Sequence, residues 1–180
     1  MVTSEVVSME ELFSQYAAET AIQEASRFAT VATDKYPIQI TKAEGRKYPE
    51  RTVAHFQADV LSTDGSNKKR ATVFFDASWI EKRTEKGDQD RHFRLWNQIS
   101  RAVYPELTDT QRAAKSVAET MEMASKYPLL AYITESYEVP DAKGPGRSGW
   151  LTPKNDEERA RFKSAGYKAR NLVQSVSKYV

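Results

Sequence analysis

The sequence predicts a mainly β fold with helical decorations, that is, an α+β protein with five strands. Apolar and polar residues alternate in several separate segments, which is typical of strands with one buried face. Between the third and fourth of these segments, apolar residues recur at helical spacing instead. Turn-forming residues separate the segments, as in "STDGSNKKR" at 62–70, where Asp-Gly predicts a tight connection between two strands.

The first part of the chain predicts one helix followed by three strands. Ser8 and Glu11 form a capping-box pattern, so we expect a helical extension over 1–28. Alternation then begins at Tyr36 and is interrupted by a cation-rich stretch that contains Gly and Pro. The expected elements are strand one from Tyr36, a basic loop over 42–51, strand two over 52–61 and strand three over 70–80.

Residues 90–126 predict a helical insert between strands three and four. Apolar side chains recur at helical spacing over 90–103. Thr108 and Gln111 form a second capping-box pattern, which predicts that another helix begins there. Strand four follows over 129–139.

The C-terminal segment allows two interpretations. Asn155 is a typical helix N-cap and Gly166 a typical C-cap, after which residues 172–179 alternate in polarity. We favour a short helix followed by a fifth strand, and the alternative is a single long helix. Five strands with a helix between the third and fourth are the layout of the OB-fold, a five-stranded barrel. We therefore predict an OB-fold domain over 29–180, preceded by the helical extension.

The composition narrows the possible functions. The chain has 180 residues, a formal net charge of +2 and no cysteine, which excludes disulfides, thiolate catalysis and cysteine-bound zinc. No apolar run approaches the roughly 20 residues that a membrane helix needs, and the N-terminus does not look like a secretory signal. We therefore expect no membrane association and a cytoplasmic location, in the host cytoplasm if the protein is viral.

Catalytic motifs are not found in the sequence. There is no metal-binding HExxH, no phosphate-binding GxxxxGK[ST] loop and no GxSxG nucleophile motif. We predict a protein without enzymatic activity, cofactor or metal. The alternative is a metal-dependent nuclease that uses carboxylates predicted to lie in strands, namely Asp59, Asp76 and Glu135.

The phase of the alternation separates neighbouring aromatic residues in strand three. Phe75 and Trp79 share its apolar face with Val73, which predicts that they belong to the core. Phe74 stands among polar residues on the opposite face, so we expect it to be exposed and available for stacking. Tyr132 alternates outward in strand four in the same way, although adjacent helices could cover it.

Basic residues cluster with aromatic residues at three predicted loops or turns, where binding groups concentrate. The clusters are Lys42, Arg46, Lys47 and Arg51 around Tyr48; Lys68, Lys69 and Arg70; and Lys143 and Arg147 with Trp150. Single-stranded nucleic acid is bound by cations that follow the phosphates and by rings on which bases stack. Each cluster also has a purely structural interpretation: a Lys-Lys-Arg turn can be a solvated hairpin tip, and Trp150 can close the end of a barrel.

The segment "YPIQITKAEGRKYPERTVAHFQADVLSTDGSNKKRATVFFDAS", the helical insert and "KYPLLAYITESYEV" together resemble the OB-fold single-stranded DNA-binding proteins of bacteriophages. The resemblance covers 36–139 and extends to "ARNLVQSVSKYV" as the closing strand. It implies sequence-independent binding of single-stranded DNA in replication, recombination or repair. By position it implies DNA contacts from Arg46, Lys47, Tyr48, Arg51, Lys68, Lys69, Arg70, Phe74, Arg147 and Trp150.

The resemblance also bears on partners. Besides single-stranded DNA, it implies replication or recombination proteins and a second copy of the chain as candidate partners. Bacterial members of this class end in an acidic recruiting tail, whereas this sequence ends Ser177-Lys178-Tyr179-Val180, so we do not expect recruitment by that route. The alternative function is a protein-interaction or assembly module of a phage with no nucleic-acid role.

Overall fold

The computed structural model describes residues 29–82 and 90–180, so the helix predicted over 1–28 lies outside the described residues. The described residues form a mainly antiparallel β structure of six strands with four helices, which confirms the predicted α+β class. The elements are β1 (Asp34–Lys47), β2 (Thr52–Leu61), β3 (Lys69–Ala77), α1 (Arg91–Val103), α2 (Asp109–Ala113), α3 (Val117–Lys126), β4 (Leu129–Val139), β5 (Gly149–Leu151), α4 (Asp156–Ser164) and β6 (Ala169–Lys178).

The strands pair in the order β3–β2–β1–β4–β5, and β6 also pairs with β4. The long strand β1 connects the two halves, because its first residues pair with β4 and the remainder pairs with β2. Ile38 is opposite both Leu129 and Val60, and a bulge follows between Ile40 and Lys42. Within the described residues β3 and β6 share no ladder, so the sheet is not closed into a barrel. Helix α1 packs against both of these edge strands.

The buried side of the sheet follows the alternation in the sequence. The side chains of β2 and β3 that point into the core are Ala54, Phe56, Ala58, Val60, Ala71, Val73, Phe75 and Ala77. Phe56 and Phe75 stack with ring centroids 5.2 Å apart. Trp79 is partly buried against this core and lies 5.5 Å from the ring of Trp96 in α1. The predicted core position of Phe75 is therefore confirmed, whereas Trp79 lies beyond the end of β3 and packs against the core while only partly buried.

Local capping determines where the helices begin. The side chain of Asp90 accepts a hydrogen bond from the backbone of His92 and caps α1. The capping box predicted for Thr108 and Gln111 is present and begins α2, while Ser116 caps α3 separately. Of the helices in 29–82 and 90–180, none is both long and apolar enough to cross a membrane.

Several predicted boundaries were wrong because strand pairing extends beyond the local signals. Strand β1 begins at Asp34 and continues to Lys47, which pairs with Thr52, so most of the predicted basic loop is strand. Gly45 lies inside this strand, opposite Ala54 of β2. Strand β3 ends at Ala77, before the predicted end at 80.

The C-terminal region also differs in detail from the prediction. Ala169–Lys178 is a strand along β4, which confirms the favoured interpretation over a single long helix. A sixth strand, β5, was not predicted, and it places Trp150 opposite Glu138 rather than in a loop. Three residues are too short to show alternation, so only the pairing with β4 identifies them as a strand.

Candidate nucleic-acid interface

The outer face of β1, β2 and β3 arranges polar and aromatic side chains in two neighbouring rows. Antiparallel register places residues directly opposite one another on the same face. The first row is Lys42, Gln57 and Phe74, and the second is Glu44, His55 and Asp76. Of these residues, the sequence had indicated Phe74 as a stacking residue and Lys42 as a member of the first basic cluster.

Phe74 is the exposed aromatic residue of this face, as predicted. Its side chain is 48% exposed, whereas that of the adjacent Phe75 is 6% exposed. The rings of Phe74 and His55 stack at 6.0 Å with an interplanar angle of 17°. Nδ1 of His55 lies 2.7 Å from Oδ1 of Asp76, which orients the imidazole. His55 is only 17% exposed, so it is the ring of Phe74 that offers a π surface to solvent, which is the kind of surface on which an unpaired base stacks.

Acidic residues neutralise several cations on this face. Glu44 pairs with Arg46 at 2.6 Å and with Lys42 at 3.4 Å, and hydrogen bonds from these two cations lower the pKa of Glu44. Lys69 lies 3.3 Å from Asp59. Phosphate attraction at the outer face therefore comes from fewer charges than the sequence clusters suggested.

Arg51 has a structural partner rather than a free guanidinium. Its side chain is 13% exposed, with Nη2 at 2.5 Å from Oδ2 of Asp90 and Nη1 donating to Nδ1 of His92 at 3.0 Å. Burial alone would raise the pKa of Asp90, but hydrogen bonds from Arg51 and from the His92 backbone outweigh it and lower the pKa. Arg51 thus ties the β1–β2 turn to the beginning of α1.

The other predicted residues of the first two clusters are exposed but separated. Lys47 and Tyr48 lie at the β1–β2 turn, whereas Lys68 and Arg70 lie at the β2–β3 turn. The ten residues of β2 separate these turns, which corresponds to about 30 Å at the usual rise of a strand. The two clusters are therefore at opposite ends of β2, with Phe74 on the face between them.

The third cluster lies at the end of β4 and beside β6. Trp150 is partly buried, and the guanidinium carbon of Arg170 lies 4.0 Å from its ring centroid, which is a cation–π contact. Arg147 is exposed in the preceding loop, where its backbone bonds to Gly144 and Lys143. Arg170, and not Arg147 of the same predicted cluster, therefore covers one face of the Trp150 ring.

Arg91 and Arg94 of α1 form an arginine cluster with Arg170 of β6. The sequence had not indicated this cluster. Nη2 of Arg91 donates to the carbonyl of Val173 at 2.5 Å, and Nη2 of Arg94 is 3.5 Å from the carbonyl of Gln174. Burial, followed by the charges of Arg94 and Arg170, lowers the pKa of Arg91. Within the described part of the chain, no carboxylate forms an ion pair with any of the three.

A cavity of about 200 Å³ lies between Phe74 and Arg91, the member of the arginine cluster that lines it. Residues of four elements line it, β2, β3, α1 and β6: His55, Phe74, Phe75, Asp76, Arg91, His92, Leu95, Leu172 and Val173. It occupies the opening where β3 and β6 do not pair. One sequence signal could have indicated it: the first turn of α1 contains Arg91 and Arg94 but no acidic residue, although acidic residues are favoured at that end of a helix.

The carboxylates considered for a metal-dependent nuclease do not meet. Asp59 pairs with Lys69, and Asp76 pairs with His55. Glu135 is fully buried and accepts hydrogen bonds from Arg159, Thr30 and Tyr137. Among residues 29–82 and 90–180, no group of three or more histidine and carboxylate side chains is placed to hold a metal ion.

Comparison with known proteins assigns no family to the chain. No protein-family model matches it, and no curated protein or solved structure is significantly similar to it. The contacts described above are therefore the basis on which a function is inferred.

Proposed function

We propose that the protein is a non-catalytic, sequence-independent single-stranded DNA-binding protein that acts in replication, recombination or repair. The observation that carries this proposal is the exposed ring of Phe74, which stacks on His55 at the outer face and borders a cavity lined by Arg91. An aromatic surface beside arginines that pair with no carboxylate of the described residues combines the two requirements of single-strand binding, base stacking and phosphate contact.

The strand order supports an open version of the OB-fold as the scaffold. Strands β1, β2 and β3 form a meander, a helical insert follows, β4 returns beside β1, and β6 pairs with β4. The OB-fold is a partly open five-stranded barrel that binds oligonucleotides on the face of its second and third strands. Phe74 and His55 lie on that face, with β5 as an additional short strand.

The chemistry of the face favours single strands over duplexes. Bases in a duplex stack on one another, so their π surfaces are not available to Phe74, whereas an unpaired base can stack on the ring. Stacking is tolerant of base identity because every base has a π surface. Several cations of the outer face are paired with carboxylates, so we expect base stacking to contribute to binding in addition to phosphate attraction.

The test is a fluorescence-anisotropy titration with labelled oligothymidylate, a duplex and an RNA of equal length, each at several salt concentrations. We expect binding to the single strand, weaker binding to the duplex, and an affinity that falls linearly with the logarithm of salt concentration. Equal affinity for duplex and single strand, or no binding at low salt, would contradict the proposal. The latter result would favour a protein-interaction module instead.

A further inference from the structure

The arginine cluster brings like charges together at the N-terminal end of a helix, where positive charge is unfavourable. Arg91 and Arg94 lie in the first turn of a helix of 13 residues, whose end already carries a partial positive charge. The N-cap Asp90 is acidic, but its carboxylate is engaged by Arg51 at 2.5 Å. Arg170 lies on β6 three residues before Val173, whose carbonyl accepts the hydrogen bond from Arg91, and the charge of Arg170 contributes to the lowered pKa of Arg91. Like charges at this end of a helix destabilise the folded chain, so an anion between them would relieve the repulsion.

The hydrogen bonding of the cluster is incomplete as well. Nε of Arg91 and Nε of Arg170 are both buried and have no hydrogen-bond partner among the described residues. The carbonyls of β6 engage Arg91 well and Arg94 only at 3.5 Å, which is at the limit of a hydrogen bond. Guanidinium donors without a carboxylate partner are well suited to phosphate oxygens.

The arginine cluster extends from the cavity beside Phe74, along β6, to Trp150. Leu172 lines the cavity beside Phe74, and Arg170 is two residues earlier on the same side of β6. Arg170 in turn covers one face of Trp150. Asp76 is the acidic side chain of the cavity lining, and its carboxylate is engaged by His55 at 2.7 Å.

We propose that Arg91, Arg94 and Arg170 form a phosphate-binding subsite in the opening between β3 and β6. The DNA strand then runs from Phe74 across this opening to Trp150, and not along β2 toward the turn of Lys68 and Arg70. This inference rests on the proposed single-stranded DNA binding and adds its path.

The decisive comparison uses two arginines of the same helix. Arg94 and Arg101 are both exposed residues of α1, but Arg101 lies near Asp109 at 3.7 Å, away from the opening. We expect Arg94→Ala to weaken oligothymidylate binding about tenfold, since charge-assisted contacts are the strong ones, and to reduce the salt slope by about 0.7. The matched control Arg101→Ala should leave both quantities unchanged, and thermal unfolding should show that both variants fold.

Two further variants separate the competing paths. Arg170→Ala should weaken binding as Arg94→Ala does, whereas the double variant of Lys68→Ala with Arg70→Ala should have a smaller effect. If the unaltered chain binds DNA but Arg94→Ala and Arg170→Ala bind as tightly as Arg101→Ala, the subsite is wrong and the proposed function stands. If the unaltered chain does not bind single-stranded DNA at all, both proposals are overturned.

Trp150 provides a readout that a merely structural role of the arginines would not affect. The chain has three tryptophans, and Trp79 and Trp96 pack against each other beside the core. Oligonucleotide binding should therefore quench mainly Trp150, and Trp150→Phe should remove most of the quenching, while anisotropy follows binding independently. Undiminished quenching in Trp150→Phe would show that the signal comes from Trp79 or Trp96, which would contradict a path that ends at Trp150.

Discussion

The neighbours Phe74 and Phe75 allow binding and stability to be separated with two substitutions. Phe75 is 6% exposed and stacks on Phe56 at 5.2 Å, so Phe75→Ala leaves a cavity in the core. Such truncations cost about 3–5 kcal/mol of folding free energy. Phe74 is already 48% exposed, so Phe74→Ala loses its contact with His55 and should cost no more than about 1 kcal/mol.

For DNA binding we expect the reverse: Phe74→Ala should weaken binding more than Phe75→Ala. If one base stacks on Phe74, its removal costs about 1–3 kcal/mol of binding free energy, which corresponds to roughly 5- to 150-fold in affinity. Phe74→Trp keeps a π surface at the same position and should retain most of the affinity. Urea unfolding gives the stability of each variant, and anisotropy titration with labelled oligothymidylate gives the affinity.

Two results would refute this reasoning. If Phe74→Ala binds as tightly as the unaltered chain, the outer-face aromatic is not a stacking site. If Phe74→Ala lowers the free energy of unfolding as much as Phe75→Ala does, its ring is part of the core and loss of binding has no specific meaning. Tyr132→Ala, which removes a half-exposed aromatic from β4, controls for the general effect of losing a surface ring.

Two further predictions concern buried ion pairs. Arg51→Ala should lower the free energy of unfolding by about 3 kcal/mol in urea, because it leaves the buried carboxylate of Asp90 without its partner. A change below about 1 kcal/mol would mean that Arg51 is free for another role. For Glu135, burial would raise the pKa, but hydrogen bonds from Arg159, Thr30 and Tyr137 outweigh it and lower the pKa. Its contribution is therefore present above its unfolded-state pKa of about 4.3 and is lost as the pH falls through the lower folded value. We expect the urea midpoint to fall between pH 6 and pH 3, and to fall less in Glu135→Gln; equal falls would show that another group is responsible.

Elements with strong local signals were predicted with the boundaries that the structure shows. Strands β2 and β4 begin and end where the alternation does, at Thr52–Leu61 and Leu129–Val139. The capping box of Thr108 and Gln111 was also predicted, because its hydrogen bonds join residues three positions apart. Periodicity and capping depend on neighbours in the chain, so they are visible without a structure.

The pairing of charged side chains was the feature least predictable from the sequence. A cluster of cations in the sequence does not show which of them are paired, and Arg46, Arg51 and Lys69 each have an acidic partner in the structure. The partner of Arg51 is 39 positions away, at Asp90. Ion pairs of this kind depend on how strands and helices pack, so neither their presence nor their absence can be inferred from composition.

The sequence by itself determined the α+β class, the phase of each long strand and therefore the outward position of Phe74 beside the buried Phe75. Only the tertiary structure decided that the sheet stays open between β3 and β6, and that α1 lies across this opening. It also brought Arg91 and Arg170 together from positions 79 residues apart. The physical reason is that alternation is written in consecutive residues, whereas a charge cluster exists only once distant elements have packed.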